Sequence, residues 1–384
     1  MGSAVTSIDN QIYIELEIEG AKIPATPNLI GTISINESVM QMTPVMQLSL
    51  LDASGSLVRD LALTEGTKLK ILLGKSKQSA IPREFRLFGV KQKATREGSG
   101  IVANFVLNAP KYVTESCTEA YEGNSSDVMT AIASKCNLKS DVSKTNDYMT
   151  WLNFGQTRAA FAEDTAIHGY NDESSCMFRA LTSRHVLRYK DAFDELAKTQ
   201  PKRVFALNAN NNDNSVIQIR DIRDVSVSGV MNNWLNYGWK YIEHSRTGKE
   251  ILHEQYKVKT AQKYLSINGD VKSNINGQTR VEYSSKLDCG NAHKNYHKAY
   301  YINLRGRALL GERLHILVED PSDVQLLDIV EFRHRETDGH TGKAQGKYIV
   351  TAKVTYVANG LLYLEKIELC RAGLREAGNT NLIG

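Results

Sequence analysis

Two histidines, His293 and His297, have a spacing that could bind a metal ion. They lie four residues apart in Asn291–Leu310, a segment whose pattern predicts a helix, so their rings would share one helix face. A zinc site needs three or four protein ligands, and no third ligand stands at a useful spacing from this pair. Lysines and tyrosines surround it instead. We therefore predict no metal site.

Four carboxylates that are close in sequence form a second candidate site: Glu163, Asp164, Asp172 and Glu173. Hydrolysis by general acid–base catalysis needs two carboxylates placed about a cleft. A chain with 43 acidic residues produces some such neighbours by chance. We interpret these four as helix-surface and turn residues, and a cell-wall hydrolase is the alternative that they leave open.

The sequence lacks the short motifs that mark common catalytic and nucleotide-binding sites. It contains no glycine-rich dinucleotide fingerprint between a strand and a helix, no P-loop, no G-x-S-x-G and no H-E-x-x-H. The residues of Asp338–Gly342 and Gly346 serve turn geometry, because a strand follows them and a phosphate cradle needs a helix N-terminus. His315 lies in an apolar strand and is predicted to be a hydrogen-bonded core or interface residue. We predict no catalytic, cofactor-binding or metal-binding residue, and hence neither an enzyme nor a cofactor.

Three aromatic residues, Trp234, Trp239 and Tyr241, are concentrated in one stretch. Large aromatic side chains most often contribute to core packing or subunit contacts, and that is the interpretation we prefer. The same rings could stack on sugars, so a carbohydrate- or surface-binding protein is an alternative function.

Length and composition indicate an ordinary globular protein with several domains. A chain of 384 residues is too long for one core, which favours two to four domains. Hydrophobic residues make up 41% and charged residues 23% of the chain. No apolar run approaches the roughly 18–20 residues of a membrane span. The N-terminus lacks the basic and apolar regions that are typical of a signal peptide.

Charge and cysteine content narrow the possible partners and the compartment. The net charge of +4 is too small to indicate nucleic-acid binding by itself. Residues 240–310 carry thirteen Lys/Arg against six Asp/Glu, which we interpret as a solvated face. An acidic partner surface or passing nucleic acid are the alternatives. The five cysteines are far apart without a C-x-x-C pair, which predicts buried free thiols in a reducing compartment.

The first 110 residues read as strands. Over Gln11–Glu19 an isoleucine or leucine occupies every even position from 12 to 18, and this period of two predicts a half-buried strand. Further strands are predicted around Leu29–Ile35, Val45–Leu51, Leu69–Leu73, Phe85–Ala94 and Ile101–Leu107. Short strands at regular spacing predict an antiparallel barrel or sandwich, and a barrel would remove exposed strand edges.

After Pro110 the pattern changes to a mixture of helices and strands. The predicted helices are Ser125–Cys136, Thr157–Tyr170 and Asp191–Lys198, and the predicted strands are Cys176–Leu181 and Val186–Tyr189. The first helix would take Ser125 or Ser126 as its N-cap. Residues 111–200 therefore predict a small α+β unit.

Strand patterns return in the last part of the chain. Strands are predicted at Arg203–Leu207, Val216–Ile222, Leu314–Val318, Leu327–Phe332, Tyr348–Val357 and Leu361–Leu369. The first two are separated by an Asn/Asp-rich loop that is typical of a wide hairpin connection. Residues 245–290 are polar and weakly patterned, which favours an inserted subdomain or long loops. The tail from Gly373 is predicted to be mobile or partner-bound.

This order of elements predicts an α+β, mainly β fold with two similar antiparallel β-barrel domains, the second of them interrupted. The predicted domains are a first barrel at 1–112, an α+β domain at 113–202, a second barrel built from 203–244 and 310–372, an inserted subdomain with a helix at 245–309, and a tail at 373–384.

Three stretches resemble the baseplate hub proteins of contractile-tailed bacteriophages and, more distantly, the hub part of type VI secretion spike proteins. The first is the all-β segment that ends near Asn108–Pro110. The second is Tyr148–Thr157, which leads into a helix and is followed by the Cys176–Leu181 and His185–Asp191 strands. The third is the C-terminal run of a helix through Leu309, the strands Leu314–Val318 and Ile329–Phe332, and a final hairpin of Tyr348–Val357 with Leu361–Leu369. The turn before Ile329 departs from the family pattern, because it lacks the glycine that such hubs often have there.

The resemblance implies a structural protein. Each subunit would contribute two tail-tube-like barrels, so that a homotrimer forms a ring of six and adapts the sixfold tail tube to a threefold central spike. The implied partners are the spike protein, the tail tube protein and other baseplate proteins, with DNA or a tape-measure protein passing through the channel. The implied location is the virion tail baseplate, after synthesis in the host cytoplasm.

Overall fold

The computed structural model describes residues 12–26, 29–52, 63–95, 98–172, 174–207, 216–227, 239–244, 251–256, 263–266, 269–272, 280–285, 292–334, 345–358, 362–371 and 374–375. The protein is α+β and mainly β, as predicted. Strands from both ends of the chain join one fourteen-stranded sheet. In the ranges given above, no helix is both long enough and apolar enough to cross a membrane.

Seven strands form the first part of this sheet, which we call the N-terminal unit. They are β1 (Tyr13–Ile18), β2 (Ala21–Ile23), β3 (Ile30–Ser38), β4 (Val45–Asp52), β5 (Lys68–Gly74), β6 (Ile81–Thr95) and β7 (Gly98–Leu107). All neighbours in this unit are antiparallel, in the order β2-β1-β5-β6-β7-β4-β3. Leu16 and Ile18 of β1 are buried, as the alternation in Gln11–Glu19 predicts.

The middle of the chain forms the α+β domain. Its elements are α1 (Pro110–Val113), β8 (Ser116–Gly123), α2 (Ser125–Lys135), β9 (Lys139–Val142), β10 (Met149–Thr157), α3 (Arg158–His168), β11 (Met177–Leu181), β12 (Val186–Asp191) and α4 (Ala192–Lys198). β8 and β10 pair with each other, and β11, β12 and β9 form a second small sheet. The helices α2 and α3 contribute buried residues such as Met129, Ile132 and Phe161 to the core that this domain shares with the N-terminal unit.

The rest of the chain returns to the large sheet after one excursion. It contains β13 (Arg203–Leu207), β14 (Val216–Gln218), β15 (Asp221–Val227), β16 (Trp239–His244), β17 (Ile251–Tyr256), β18 (Lys263–Ser266), β19 (Gly269–Lys272), β20 (Arg280–Ser285), α5 (Tyr296–Leu309), β21 (Glu312–Val318), β22 (Ile329–His334), β23 (Gly346–Ala358), β24 (Leu362–Arg371) and β25 (Leu374–Arg375). The excursion from β16 to α5 holds two three-stranded sheets, β17-β16-β20 and β19-β18-β25. β25 belongs to the segment predicted as a tail, and its residues pair with β18.

Seven of these strands form a second part of the large sheet, the C-terminal unit, in the order β14-β13-β22-β23-β24-β21-β15. Taken in chain order, β1 to β7 correspond to β13, β14, β15, β21, β22, β23 and β24. With this correspondence, the two units have the same spatial order of strands. The units differ in the direction of one strand: β13 runs parallel to β22, whereas its counterpart β1 runs antiparallel to β5. The excursion lies between β15 and β21, where the N-terminal unit has the short turn between β3 and β4. The two units therefore share one strand order, and only the second carries an insertion.

Two local predictions were wrong. The N-cap of α2 is Asn124, whose backbone N–H donates to the Asp127 carboxylate at 3.0 Å. Ser125 lies inside the helix because its hydroxyl is used in the interior, where it donates to Thr145 at 2.9 Å. The predicted hairpin between Arg203–Leu207 and Val216–Ile222 is instead a parallel pair, β13 with β14.

Asp191 connects the small sheet of the α+β domain to α4. Its carboxylate accepts hydrogen bonds from the backbone N–H groups of Phe193 at 3.2 Å and Cys176 at 3.1 Å, so it caps the helix and fixes the start of β11. The side chain is buried. Burial raises the pKa of Asp191 to about 6, although the backbone donors act in the opposite direction. At neutral pH the fold therefore carries a buried charge.

Replacing Asp191 with asparagine should change how stability depends on pH. Because folding raises this pKa, the stability linked to it is complete below the ordinary value of 3.8 and is lost as pH rises through about 6. Asparagine stays neutral and still offers an acceptor to the helix N-terminus. We expect the free energy of unfolding of Asp191→Asn, relative to wild type, to rise by roughly 2 to 3 kcal/mol from pH 4 to pH 7.5. Urea unfolding followed by circular dichroism measures the difference, and an equal difference at both pH values contradicts the prediction.

Candidate functional site: the seam between the strand units

The two units are joined by direct pairing of β3 with β23. The strands run antiparallel, from Ala352 opposite Ser38 to Ala358 opposite Thr32. Side chains on one face of this seam are buried: the pairs Lys353–Glu37, Thr355–Ile35 and Val357–Ile33. The chain thus contains an edge-to-edge joint between two similar β units.

The buried face of the seam contains an ion pair. Lys353 Nζ lies 2.8 Å from a Glu365 carboxylate oxygen on the neighbouring strand β24, and the two side chains are only 3% and 1% exposed. Lys353 also donates to the backbone carbonyl of Val324 at 3.0 Å. A charge removed from water in this way requires both a counter-ion and further hydrogen bonds. The pair therefore depends on the segment around Val324 staying packed over the sheet.

Glu365 has further donors that complete its hydrogen bonding. The Ser322 backbone N–H donates to it at 3.2 Å, and the hydroxyl groups of Ser322 and Tyr363 also donate to its carboxylate. Burial by itself would raise the pKa of Glu365, but the Lys353 ammonium and these donors outweigh it and hold the pKa below the ordinary value. Burial, and the charge of Glu365, raise the pKa of Tyr363 well above its ordinary value.

The α+β domain joins the seam through the turn between β11 and β12. The backbone N–H of Ser183 donates to Glu37 of β3 at 2.7 Å, while its hydroxyl accepts from Arg83 of β6 at 3.1 Å. The next residue, Arg184, lies 2.6 Å from Asp323 in the segment before β22. One turn of the α+β domain therefore contacts both strand units at the place where they meet.

A second buried polar joint fixes the α+β domain to the C-terminal unit. Arg188 of β12 lies 2.7 Å from Asp328 and 2.9 Å from Asp141, and it donates to the Leu326 carbonyl. Lys202 also reaches Asp328, at 3.0 Å. A guanidinium that is held by several acceptors is fixed in orientation as well as in distance.

The carboxylates proposed as acid–base candidates serve structural roles where the structure describes them. Glu163 lies between two arginines, 2.7 Å from Arg179 and 3.0 Å from Arg307 of α5. Arg179 also donates to the Gln41 carbonyl in the turn between β3 and β4. Glu163 is thus the centre of a joint between three parts of the chain.

Asp164 and Asp172 do not complete a catalytic pair with Glu163. Asp164 lies on the surface of α3, one turn before His168, and its backbone carbonyl contacts that ring. Asp172 accepts from the backbone and hydroxyl of Ser174, which is turn chemistry. Glu173 lies outside the described residues. The prediction of helix-surface and turn roles holds for the two aspartates.

The two histidines of the metal hypothesis do not share a helix face, because α5 begins at Tyr296 and His293 precedes it. The His293 ring lies among aromatic rings instead, 6.3 Å from Trp151 and 6.0 Å from Tyr296 between ring centroids. Among the residues that the structure describes, no three His, Cys, Asp or Glu side chains are grouped as metal ligands. The side chain of His297 lies outside the description.

His315 is hydrogen-bonded within the sheet, as predicted. Its Nε2 lies 3.1 Å from Glu368, the residue directly opposite it on β24. Of the cysteines, Cys136, Cys176 and Cys370 are buried free thiols, whereas Cys117 on β8 is only partly buried, contrary to the prediction. Trp234, Cys289 and Asp338–Gly342 lie outside the described residues, as do the side chains of Trp239 and Tyr241.

The two strand units share their register as well as their strand order. Tyr348 and Ile349 of β23 stand at the positions that Phe85 and Arg86 occupy in β6, 263 residues earlier in the chain. Both long strands have a bulge at the next equivalent point, between Leu87 and Gly89 and between Val350 and Ala352. Apart from the reversed strand β13, the two units therefore repeat one arrangement of strands.

The sequence analysis missed the charged residues of the seam. Glu365 stands at one of the alternate, core-facing positions of β24, together with the buried residues Tyr363, Ile367 and Leu369. Lys353 likewise has the phase of Thr355 and Val357 in β23. A charged residue in core phase on each of two adjacent predicted strands is the signal of a buried pair.

Comparison with solved structures finds this fold in two tail proteins. No family model and no curated protein matches the sequence. The tail protein from Neisseria meningitidis MC58 superposes with a TM-score of 0.61 at 11% identity, covering 94% of this chain and 97% of that one. The 43 kDa tail protein of prophage MuSo2 from Shewanella oneidensis superposes with a TM-score of 0.60 at 10% identity, covering 94% and 98%. The chain has the fold of these two tail proteins, which confirms the likeness at the level of fold.

The ion pair of the seam can be tested by a double replacement. Lys353→Met leaves Glu365 buried without its cation, so we expect a loss of about 3 to 5 kcal/mol in the free energy of unfolding. Adding Glu365→Gln removes the uncompensated charge and keeps an acceptor, so the double variant should lose less than Lys353→Met alone. Urea unfolding of both variants measures this.

Lys366 is the matched control for this test, because it is an exposed lysine on the same strand as Glu365. Lys366→Met should change stability by no more than about 0.5 kcal/mol. If Lys353→Met behaves like this control, or if the double variant is no more stable than Lys353→Met, the buried pair does not hold the seam.

Proposed function

We propose that this chain is a structural baseplate hub of a contractile tail, and that it forms a homotrimeric ring between a sixfold tail tube and a threefold central spike. The observation that carries the proposal is the repetition within the chain: two strand units with one order and one register, joined edge to edge by β3 and β23. Three chains joined in the same way present six similar units but only three complete subunits. Such a particle matches both symmetries.

The fold comparison supports the tail assignment. The two tail proteins match over nearly their whole lengths, so neither has a large domain that this chain lacks. On this proposal the partners are the spike protein, the tail tube protein and other baseplate proteins. The site of action is the virion tail baseplate, after synthesis in the host cytoplasm.

The face of the seam opposite the core suits a channel lining. On the adjacent strands β7, β4, β3 and β23 this face carries small polar and apolar residues, including Ser34, Asn36, Gln47 and Asn104, and Gln47 donates to Asn104 at 3.1 Å. No Asp, Glu, Lys or Arg occupies this face between Val102 and Val106, Val45 and Ser49, Thr32 and Ser38, or Ala352 and Ala358. The uncharged stretch of these four strands limits the attraction of passing DNA, while the charged residues of this face, such as Lys366 opposite Val354, stand on the neighbouring strand β24.

The roles of the polar side chains also favour structure over catalysis. Glu163, the first acid–base candidate, is paired with two arginines and joins three segments. The buried Lys353 and Glu365 of the seam are likewise paired and hydrogen-bonded. These groups hold domains in position, which is the requirement for an assembly protein, and we propose that the chain is not an enzyme.

The mass and shape of the purified particle test the proposal. Light scattering should give three times the chain mass of 42.8 kDa, and negative-stain electron microscopy should show a ring with six lobes around a central opening. The trimer should persist as the protein is diluted, because a ring interface of obligate size dissociates slowly. A monomer at every concentration, or a closed particle without six lobes, contradicts the proposed function.

A further inference from the structure

The N-terminal unit has a strand edge that its counterpart covers. β5 pairs with β6 only as far as Arg86, and Leu87 is bonded to the backbone of Thr67. From Phe88 to Thr95, β6 pairs with β7 on one side, and no other described strand pairs with it on the opposite side. The equivalent segment of β23, Ala352–Ala358, has β3 on that side. The edge of β6 therefore lacks the neighbour that the repeated arrangement provides.

Side-chain exposure along β6 leads to the same conclusion. Val90 stands directly opposite the buried Ala103, so it lies on the core face of the sheet, yet it is 42% exposed. Its counterpart on β23, Lys353, is 3% exposed because β3 and the elements beside it cover that position. Phe88, at the bulge, is 54% exposed. Apolar core-face residues left open at one strand edge indicate an interface.

β15 has the second strand edge without a described neighbour, and its position in the repeat complements that of β6. It is the counterpart of β3, since Val225 stands opposite Leu314 as Ile35 stands opposite Met46. β3 pairs with β4 and with β23, whereas among described strands β15 pairs with β21 alone. In the repeated arrangement, the missing neighbour of β15 is a strand equivalent to β23, and that strand is β6.

We propose that β6 of one chain pairs antiparallel with β15 of a second copy of this chain, in the register of the seam between β23 and β3. This inference rests on the proposed function and specifies its subunit interface. Transfer of the register places Val90 opposite Val227, Gln92 opposite Val225 and Lys93 opposite Asp224. The contact is head-to-tail, so successive copies form a ring when the rotation closes.

Charge at this interface is complementary in the transferred register. The edge segment of β6 carries Lys91 and Lys93, and β15 carries Asp221 and Asp224. Opposite charges directly across a strand pair stabilise it, and like charges destabilise it. The register that pairs the apolar positions Val90 and Val227 is therefore also the one that sets a lysine opposite an aspartate.

Cysteine cross-linking tests the register. In a chain whose partly exposed Cys117 and whose Cys289 are replaced by serine, Lys93→Cys with Asp224→Cys should form disulfides between copies on mild oxidation, because directly opposed residues lie within about 5.5 Å. Non-reducing electrophoresis should show covalent dimers and trimers. The pair Lys91→Cys with Asp224→Cys is two residues out of register, at about 7 to 8 Å, and should cross-link poorly.

The internal seam supplies the matched positive control. Tyr356 and Ser34 occupy the positions on β23 and β3 that correspond to Lys93 and Asp224. Tyr356→Cys with Ser34→Cys should therefore form a disulfide of the same geometry within one chain, and the band should stay monomeric. This control shows that the oxidation conditions join residues at these positions.

The outcomes separate this interface from the proposed function. If light scattering gives a trimer but only the internal control forms a disulfide, the copies assemble through another surface and the interface is overturned, while the hub proposal stands. If the chain is monomeric and Lys93→Cys with Asp224→Cys gives no covalent oligomer, both are overturned. Cross-links that require another protein, or that form only within one chain, also overturn the pairing of two copies.

A charge exchange gives an independent measurement. Lys93→Glu or Asp224→Lys places like charges across each seam and should weaken assembly about two- to five-fold per seam. The combined variant restores opposite charges and should recover most of the wild-type trimer by mass photometry. If the combined variant assembles less well than either single variant, the two residues do not face each other.

Discussion

The arrangement of this protein depends on one buried charge, the Lys353 ammonium, which lies in the core phase of β23 with only 3% of its side chain exposed. Water cannot compensate that charge, so Glu365 and the Val324 carbonyl must be present at the same time. Glu365 in turn needs the donors of Ser322 and Tyr363. The ion pair therefore ties β23, β24 and the segment before β22 into one geometry, at the point where β3 of the other unit pairs. A hydrophobic pair would stabilise the same contact without demanding these partners.

The α+β domain is fixed by the same principle, since its joints to the strand units are charged or hydrogen-bonded and partly buried. Ser183 contacts both Glu37 and Arg83, Arg188 reaches Asp328, and Arg179 donates to the Gln41 carbonyl. Such contacts are directional, so they set the angles between domains more narrowly than apolar packing does. The proposed ring would require those angles to be the same in every copy. The backbone is also packed closely at one of these joints, where Gly306 of α5 lies against Cys176 with too little room for a Cβ atom.

Much of the fold could be predicted from periodicity, because half-buried strands alternate visibly. Six of the seven strands of the N-terminal unit, the β23–β24 hairpin and the helices α3 and α4 fall within a few residues of their predicted bounds, whereas β2 was not predicted. Periodicity could not predict β8 and β10, since β8 is largely polar and gains its pairing from tertiary context. It also could not show that β13 runs parallel to β22, because direction leaves no trace in the alternation. The ion pair of the seam was missed for a different reason: Lys353 and Glu365 stand at core positions of adjacent predicted strands, where only apolar residues were expected, and that double exception is itself the signal of a buried pair.

The position of the insertion has a consequence for any closed assembly of this chain. The residues from β16 to α5 replace a short turn in one unit only, so neighbouring units around a ring alternate between plain and decorated. The excursion then recurs once per chain, whereas the strand units recur twice per chain. A partner that binds the excursion meets half as many equivalent sites as a partner that binds the strand units. Because the two strand units of a chain differ at one loop, the same assembly offers different numbers of equivalent binding sites to the two kinds of partner.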